Sequence, residues 1–104
     1  MKIVYNKLIP FKGFKCINLF GVLFVRDGMK MDCTELNHEA IHTAQMKELG
    51  YVLFYIIYLI EWLVRLPGKG NAYYNISFEK EAYGNQHMTD YLSRRDFWAW
   101  TKYL

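Results

Sequence analysis

Cysteine and proline are scarce in this chain of 104 residues, with two of each, and no apolar run is long. Each shortage excludes something. Cys16 and Cys33 are too few for a disulfide-built scaffold, and their spacing fits no metal knuckle. They are expected as two buried free thiols of a reducing compartment, with a single disulfide as the alternative that spacing leaves open. The net charge is only +3. The bases are scattered from Lys2 and Lys7 through Lys47 and Lys69 to Arg94–Arg95, without a stripe, so no nucleic-acid partner is expected.

The longest apolar run, Tyr51–Leu66, falls short of the ~20 residues of a spanning helix, and it contains Glu61 and Arg65. It is expected as a buried helix; a helix lying on a membrane surface is the alternative, because the run is apolar nearly all round. The apolar stretch after Lys2 is short and is broken by Pro10 and Lys12, so no secretory leader is expected. A cytoplasmic location follows, with membrane association as its alternative. Hydrophobic residues at 53% against 22% charged exclude disorder, and the length suits one domain over 1–104.

Aromatic residues are plentiful, at 18%. They suit a small helical core, or a cleft or surface that binds extended peptide or lipid. Ile3–Tyr5 reads as a short strand and Asn6–Gly13 as loop. Phe14–Arg26 reads as a strand or hairpin with Gly21 at a bulge or turn. A helix is expected from Asp32–Thr34, where Asp32 and Glu35 have capping-box spacing, to a stop at Gly50. A second covers Tyr51–Leu66, and a third runs from Asn75 or Ser77 to about Ser93. Arg94–Leu104 is a short fourth helix or a packed tail. The fold class is α+β: a small N-terminal antiparallel sheet followed by three main helices.

The chemistry sits in His38-Glu39-Ala40-Ile41-His42. Residues i and i+4 lie about 40° apart on a helix, so both imidazoles leave one face and can reach one Zn²⁺. Glu39 is about 100° further round. It is poorly placed as a ligand but able to act on a water beside the metal, which is the division hydrolysis needs. A third ligand is required. Glu48 faces elsewhere on the same helix, and Glu61 is expected to pair with Arg65 at i+4. Glu79 and Glu81 open the third helix about 200° apart, so only one of them can face the metal.

HEAIH followed by a helix bearing Glu79-Lys80-Glu81-Ala82 resembles the gluzincin metallopeptidases, across about Asp32–Gln45 and Ile76–Gln86. In that pattern the ligand Glu precedes Ala by three. The resemblance therefore implies Glu79 as third ligand, one zinc, a minimal zincin-like domain, and a peptide or protein substrate. It implies Glu39 as the catalytic base. Gluzincins commonly carry Asp or Asn four residues after the ligand Glu, to orient a zinc-bound His; here Tyr83 stands there, and its phenol would have to serve.

Further expectations attach to neighbouring residues. His87 is expected on the stripe of Glu79, as a partly exposed helix residue, an oxyanion electrophile or a substitute ligand. Tyr73 and Tyr74 are packing residues or oxyanion donors. Gly84 is expected to permit close helix contact. Leu19–Arg26 would be the rim strand for extended substrate. Phe97-Trp98-Ala99-Trp100 would cap the core or cover the cleft. A zinc-binding regulatory or interaction protein without catalysis is the competing reading.

Overall fold

A computed structural model describes residues 1–10 and 13–104 and has the expected α+β architecture. The loop anticipated over residues 6–13 thus lies partly outside the described residues, at 11 and 12. Strands β1 (Lys2–Asn6), β2 (Cys16–Leu19) and β3 (Val22–Arg26) form one sheet. The turn joining β2 to β3 is Phe20-Gly21, with φ of 53° and 86°. Two positive values in a two-residue loop match the twist of an antiparallel hairpin, and a glycine at the second position removes the Cβ clash there.

The sheet itself departs from expectation. Its order is β1-β3-β2, and β1 runs parallel to β3, from Lys2 opposite Val22 to Asn6 opposite Arg26. Only β2 and β3 are antiparallel. The sheet is therefore mixed. β3 is the central strand, and β2 is an edge. Leu23 and Val25 of β3 are fully buried beneath it.

Helix α1 (Cys33–Glu48) starts with the anticipated capping box: the Glu35 N–H donates to Asp32 Oδ1 at 2.7 Å, and the Asp32 N–H donates to Glu35 Oε1 at 3.2 Å. Gly50, at φ +64°, lets the chain reverse into α2 (Val52–Arg65). Then follow α3 (Ala72–Asn75), α4 (Ser77–Asn85), α5 (Tyr91–Arg94) and a 3₁₀ helix over Ala99–Tyr103. The third main helix ends eight residues before Ser93. Gly84 lies one residue from that end, and a Cβ there would meet nothing within 4 Å, so close helix contact is not its role.

Met46, Leu49, Phe54, Ile76, Phe78 and Trp100 form the main core cluster. Phe78 stacks on Phe54, with ring centroids 4.5 Å apart. Trp100 closes the far side of that cluster, so this part of the tail caps the core, while Phe97 and Trp98 stay exposed. α2 is not a buried helix: Phe54 is its one buried residue. Glu61 does not serve Arg65. Its carboxylate turns inward to accept from the Ser77 N–H at 2.9 Å and the Ser77 hydroxyl at 2.6 Å. A carboxylate from α2 thereby meets the N-terminal dipole of α4 and fixes where that helix begins. Glu79, two residues on, is placed by this contact.

Candidate metal centre

α1 and α4 pack face to face, and three side chains meet between them. His38 Nε2 lies 3.1 Å from His42 Nε2 and 3.2 Å from Glu79 Oε1. His42 Nε2 lies 3.0 Å from the same oxygen. All three residues are buried, and they form a group that could hold a metal ion.

Bonds of ~2.0–2.1 Å in a tetrahedral zinc site put neighbouring N and O donors about 3.3 Å apart. The observed triangle comes close to that spacing. The protonation pattern points the same way. His38 Nδ1 is 2.8 Å from Gln86 Oε1, and His42 Nδ1 is 2.8 Å from Gln45 Oε1. An amide oxygen only accepts, so with both amides turned this way each Nδ1 carries hydrogen and each Nε2 can offer its lone pair to the centre. Gln45 cannot turn its amide round, because its NH₂ already donates to Phe78 O and Glu81 Oε1, each at 3.0 Å. Three electron-rich atoms thus face one another, and a proton on one Nε2 cannot satisfy all three contacts. A cation can.

The charges respond to this crowding. Burial alone would lower the His42 pKa, but the Glu79 carboxylate more than offsets it and holds it up at about 9. Burial would raise Glu79; His42, His38 and the Tyr58 hydroxyl at 2.7 Å override that and drive it well below the ordinary carboxylate range. Tyr58 takes Oε2 and leaves Oε1 for the imidazoles.

Glu39 stands outside the triangle. It lines two cavities that flank the site, of about 270 Å³ and about 310 Å³. The first is apolar, walled by Ile17, Met46, Phe54 and Tyr55; the second is lined by Cys16, Met31, Thr34 and Glu35. Tyr73 borders both, as Glu39 does. Burial raises the Glu39 pKa, with His42 and His38 partly opposing. Neither cavity has Phe97, Trp98 or Trp100 in its wall, so the tail does not cover the cleft.

Several anticipated residues sit elsewhere. Glu81 is fully buried but turned away from the triangle, held by Gln45, Tyr91 and Arg95. Tyr83 makes no hydrogen bond to either imidazole. Its ring packs edge-on against His38, with centroids 4.5 Å apart, while its hydroxyl meets Tyr73 at 3.2 Å. His87 falls beyond the end of α4 and is exposed. Its neighbour Gln86 is the residue that reaches His38. Tyr74 is exposed and packs edge-on against Tyr73. Cys16 and Cys33 are free, but neither is buried.

Sequence reasoning missed Gln45, Gln86 and Tyr58. Gln45 has a local signal, standing three residues after His42 on the same helix. Gln86 and Tyr58 have none. No known protein family, curated protein or solved structure matches the chain.

Proposed function

We propose that the chain is a zinc-dependent hydrolase of the metallopeptidase type, with His38, His42 and Glu79 as ligands and Glu39 as general base. One observation carries the reading: three buried donor atoms converge at 3.0–3.2 Å, while a fourth side chain, the carboxyl of Glu39, stays out of the triangle and lines the cavities beside it. Zinc held there would polarise a peptide carbonyl and acidify a water molecule.

The chain's own groups do the rest. Glu39 Oε takes a proton from the attacking water and passes it to the leaving amine nitrogen. Burial, by raising its pKa, suits it to both halves of that exchange. Tyr73 borders both cavities, and its hydroxyl, 3.2 Å from that of Tyr83, would be the donor to a developing oxyanion. Gln45 and Gln86 keep the imidazoles turned inward.

Substrate would lie along β2, not along Leu19–Arg26, because β3 is paired on both sides. The Arg26 N–H donates to Lys15 O, so Ile17 and Leu19 face β3 by alternation while Cys16 and Asn18 turn their backbone groups outward. Asn18 O already accepts from the Tyr55 hydroxyl at 3.1 Å. The Cys16 backbone and the Asn18 N–H are left for an extended peptide, and the apolar cavity beside them suits a large apolar side chain.

Zinc binding should be strongly pH-dependent. The folded-state pKa of His42, about 9, is raised above its ordinary value. The proton therefore stabilises the metal-free fold fully below ~6.5, and that stabilisation is lost as pH rises through about 9. Zinc must displace this proton. Its affinity should climb about ten-fold per pH unit up to about 9 and level off above, with roughly one His42 proton released per zinc. Calorimetry in buffers of different ionisation enthalpy measures that proton directly. The same zinc-loaded protein should cleave an unstructured polypeptide and stop when chelated. Proton-coupled zinc binding without any cleavage would leave the competing regulatory reading in its place.

A further inference from the structure

The outward face of α2 is uncharged along its whole length. Val52, Ile56, Leu59, Ile60, Leu63 and Val64 are each between 48% and 66% exposed. At 3.6 residues per turn the exposed apolar arc, from Trp62 to Val64, is about 200° wide, and the helix is about 20 Å long. Glu61, the one acid in it, is turned inward to Ser77. Phe20 extends the surface past the helix start: it packs on Tyr55 at 5.2 Å and remains 57% exposed.

We infer that this face seats the protein on a phospholipid bilayer surface, with α2 lying in the plane of the interface. The width of the arc favours lipid over a second copy of the chain. One packed helix covers a stripe of roughly 100°, so a facing copy of α2 would leave about half the arc in water, whereas acyl chains wrap it. An apolar arc lying against a polar protein body is what an interfacial helix requires. No helix of the described residues is long and apolar enough to cross a membrane. Charge agrees. Between residues 49 and 78 the only acid is Glu61, while the exposed Lys69 follows the C-terminal end of α2, where anionic headgroups would meet it. The opposite face of the same helix carries Phe54, Tyr55 and Tyr58 into the apolar cavity, so the cleft would be held beside the bilayer.

The seating needs no metal, and it stands or falls apart from the proposed hydrolysis. Flotation of the full chain with phosphatidylcholine vesicles containing phosphatidylglycerol tests it. The wild type should float, and should do so less well with phosphatidylcholine alone or at high salt. The doubly substituted variant Ile60→Glu, Leu63→Glu should bind at least about ten-fold more weakly, with an unchanged circular-dichroism melt because both positions are exposed. Wild type left at the bottom of the gradient would overturn the inference. So would sedimentation showing a stable dimer that the same two substitutions dissociate while vesicle binding is absent or unaffected.

Discussion

Glu39→Gln should lower peptide turnover by about 10²–10⁴-fold while the protein keeps its zinc. The two halves of that outcome come from different parts of the geometry. Glu39 is no member of the His38–His42–Glu79 triangle, so exchanging its carboxylate for an amide removes no ligand. It does remove the group able to accept a proton where α1 meets the two cavities. An amide of the same shape can still hydrogen-bond a water but cannot take its proton. The loss should fall on kcat with KM little changed, because the substrate contacts proposed above are to β2 and the apolar cavity. Metal analysis alongside steady-state kinetics reads both halves. Unchanged turnover, or zinc lost from this variant, would remove Glu39 from its role.

The second large effect lies behind the site, in an ion network. Arg95 joins two acids. Its guanidinium donates to Glu48 Oε1 at 2.9 Å and Oε2 at 3.0 Å, and to both oxygens of Glu81. Side-chain exposures of 5% for Arg95 and Glu48 and 0% for Glu81 mean that water cannot replace these contacts. Arg95→Ala leaves two carboxylates buried without a counter-charge, which should destabilise the fold by about 3–5 kcal/mol. A domain of this size has only ~5–15 kcal/mol in total. Arg95→Lys keeps the charge and loses the planar fork, so its loss should be smaller.

Urea melts measure this, and acid provides a second arm. Burial would raise the Glu81 pKa, but Arg95, Gln45 and Tyr91 hold it below the ordinary carboxylate value. A depressed folded-state pKa gives stability that is present above the ordinary carboxylate pKa and is lost as pH falls through the lower folded value. The wild type should therefore weaken in acid below about pH 4.5. Arg95→Ala should weaken less steeply there, having lost the cause of the depression. A difference below 1 kcal/mol at neutral pH would show the network to be dispensable.

The network also reaches the candidate metal centre. Glu81 accepts from the Gln45 amide, whose oxygen faces His42 Nδ1. Arg95 is thus a positioning residue, acting three contacts away from the imidazole, and Arg95→Lys should cost zinc affinity as well as stability.

Much of this was legible because it is local. His38 and His42 share a helix face through spacing alone, and the capping box that starts this helix is a contact across three residues. Gly21 and Gly50 marked their turns because positive φ is expensive for other residues. What was not legible depends on distance in the chain. Alternation assigns strand faces but not neighbours, so the parallel pairing of β1 with β3 did not show. Glu61 lies at helical spacing from Arg65, yet the start of α4, 16 residues on, offers it two donors. The chain leaves α4 at Asn85, which put Gln86 rather than His87 within reach of His38. An apolar run such as Tyr51–Leu66 reads alike whether its neighbours bury it or leave one face bare, so α2 was expected inside and lies largely outside.

The most direct measurement is an anomalous difference map from crystals grown with zinc, with data collected on both sides of the zinc absorption edge. A single strong peak should lie about 2.0–2.2 Å from each of His38 Nε2, His42 Nε2 and Glu79 Oε1. Zinc found only at Cys16, Cys33 or surface carboxylates, with the two imidazoles still hydrogen-bonded to Glu79, would contradict the account.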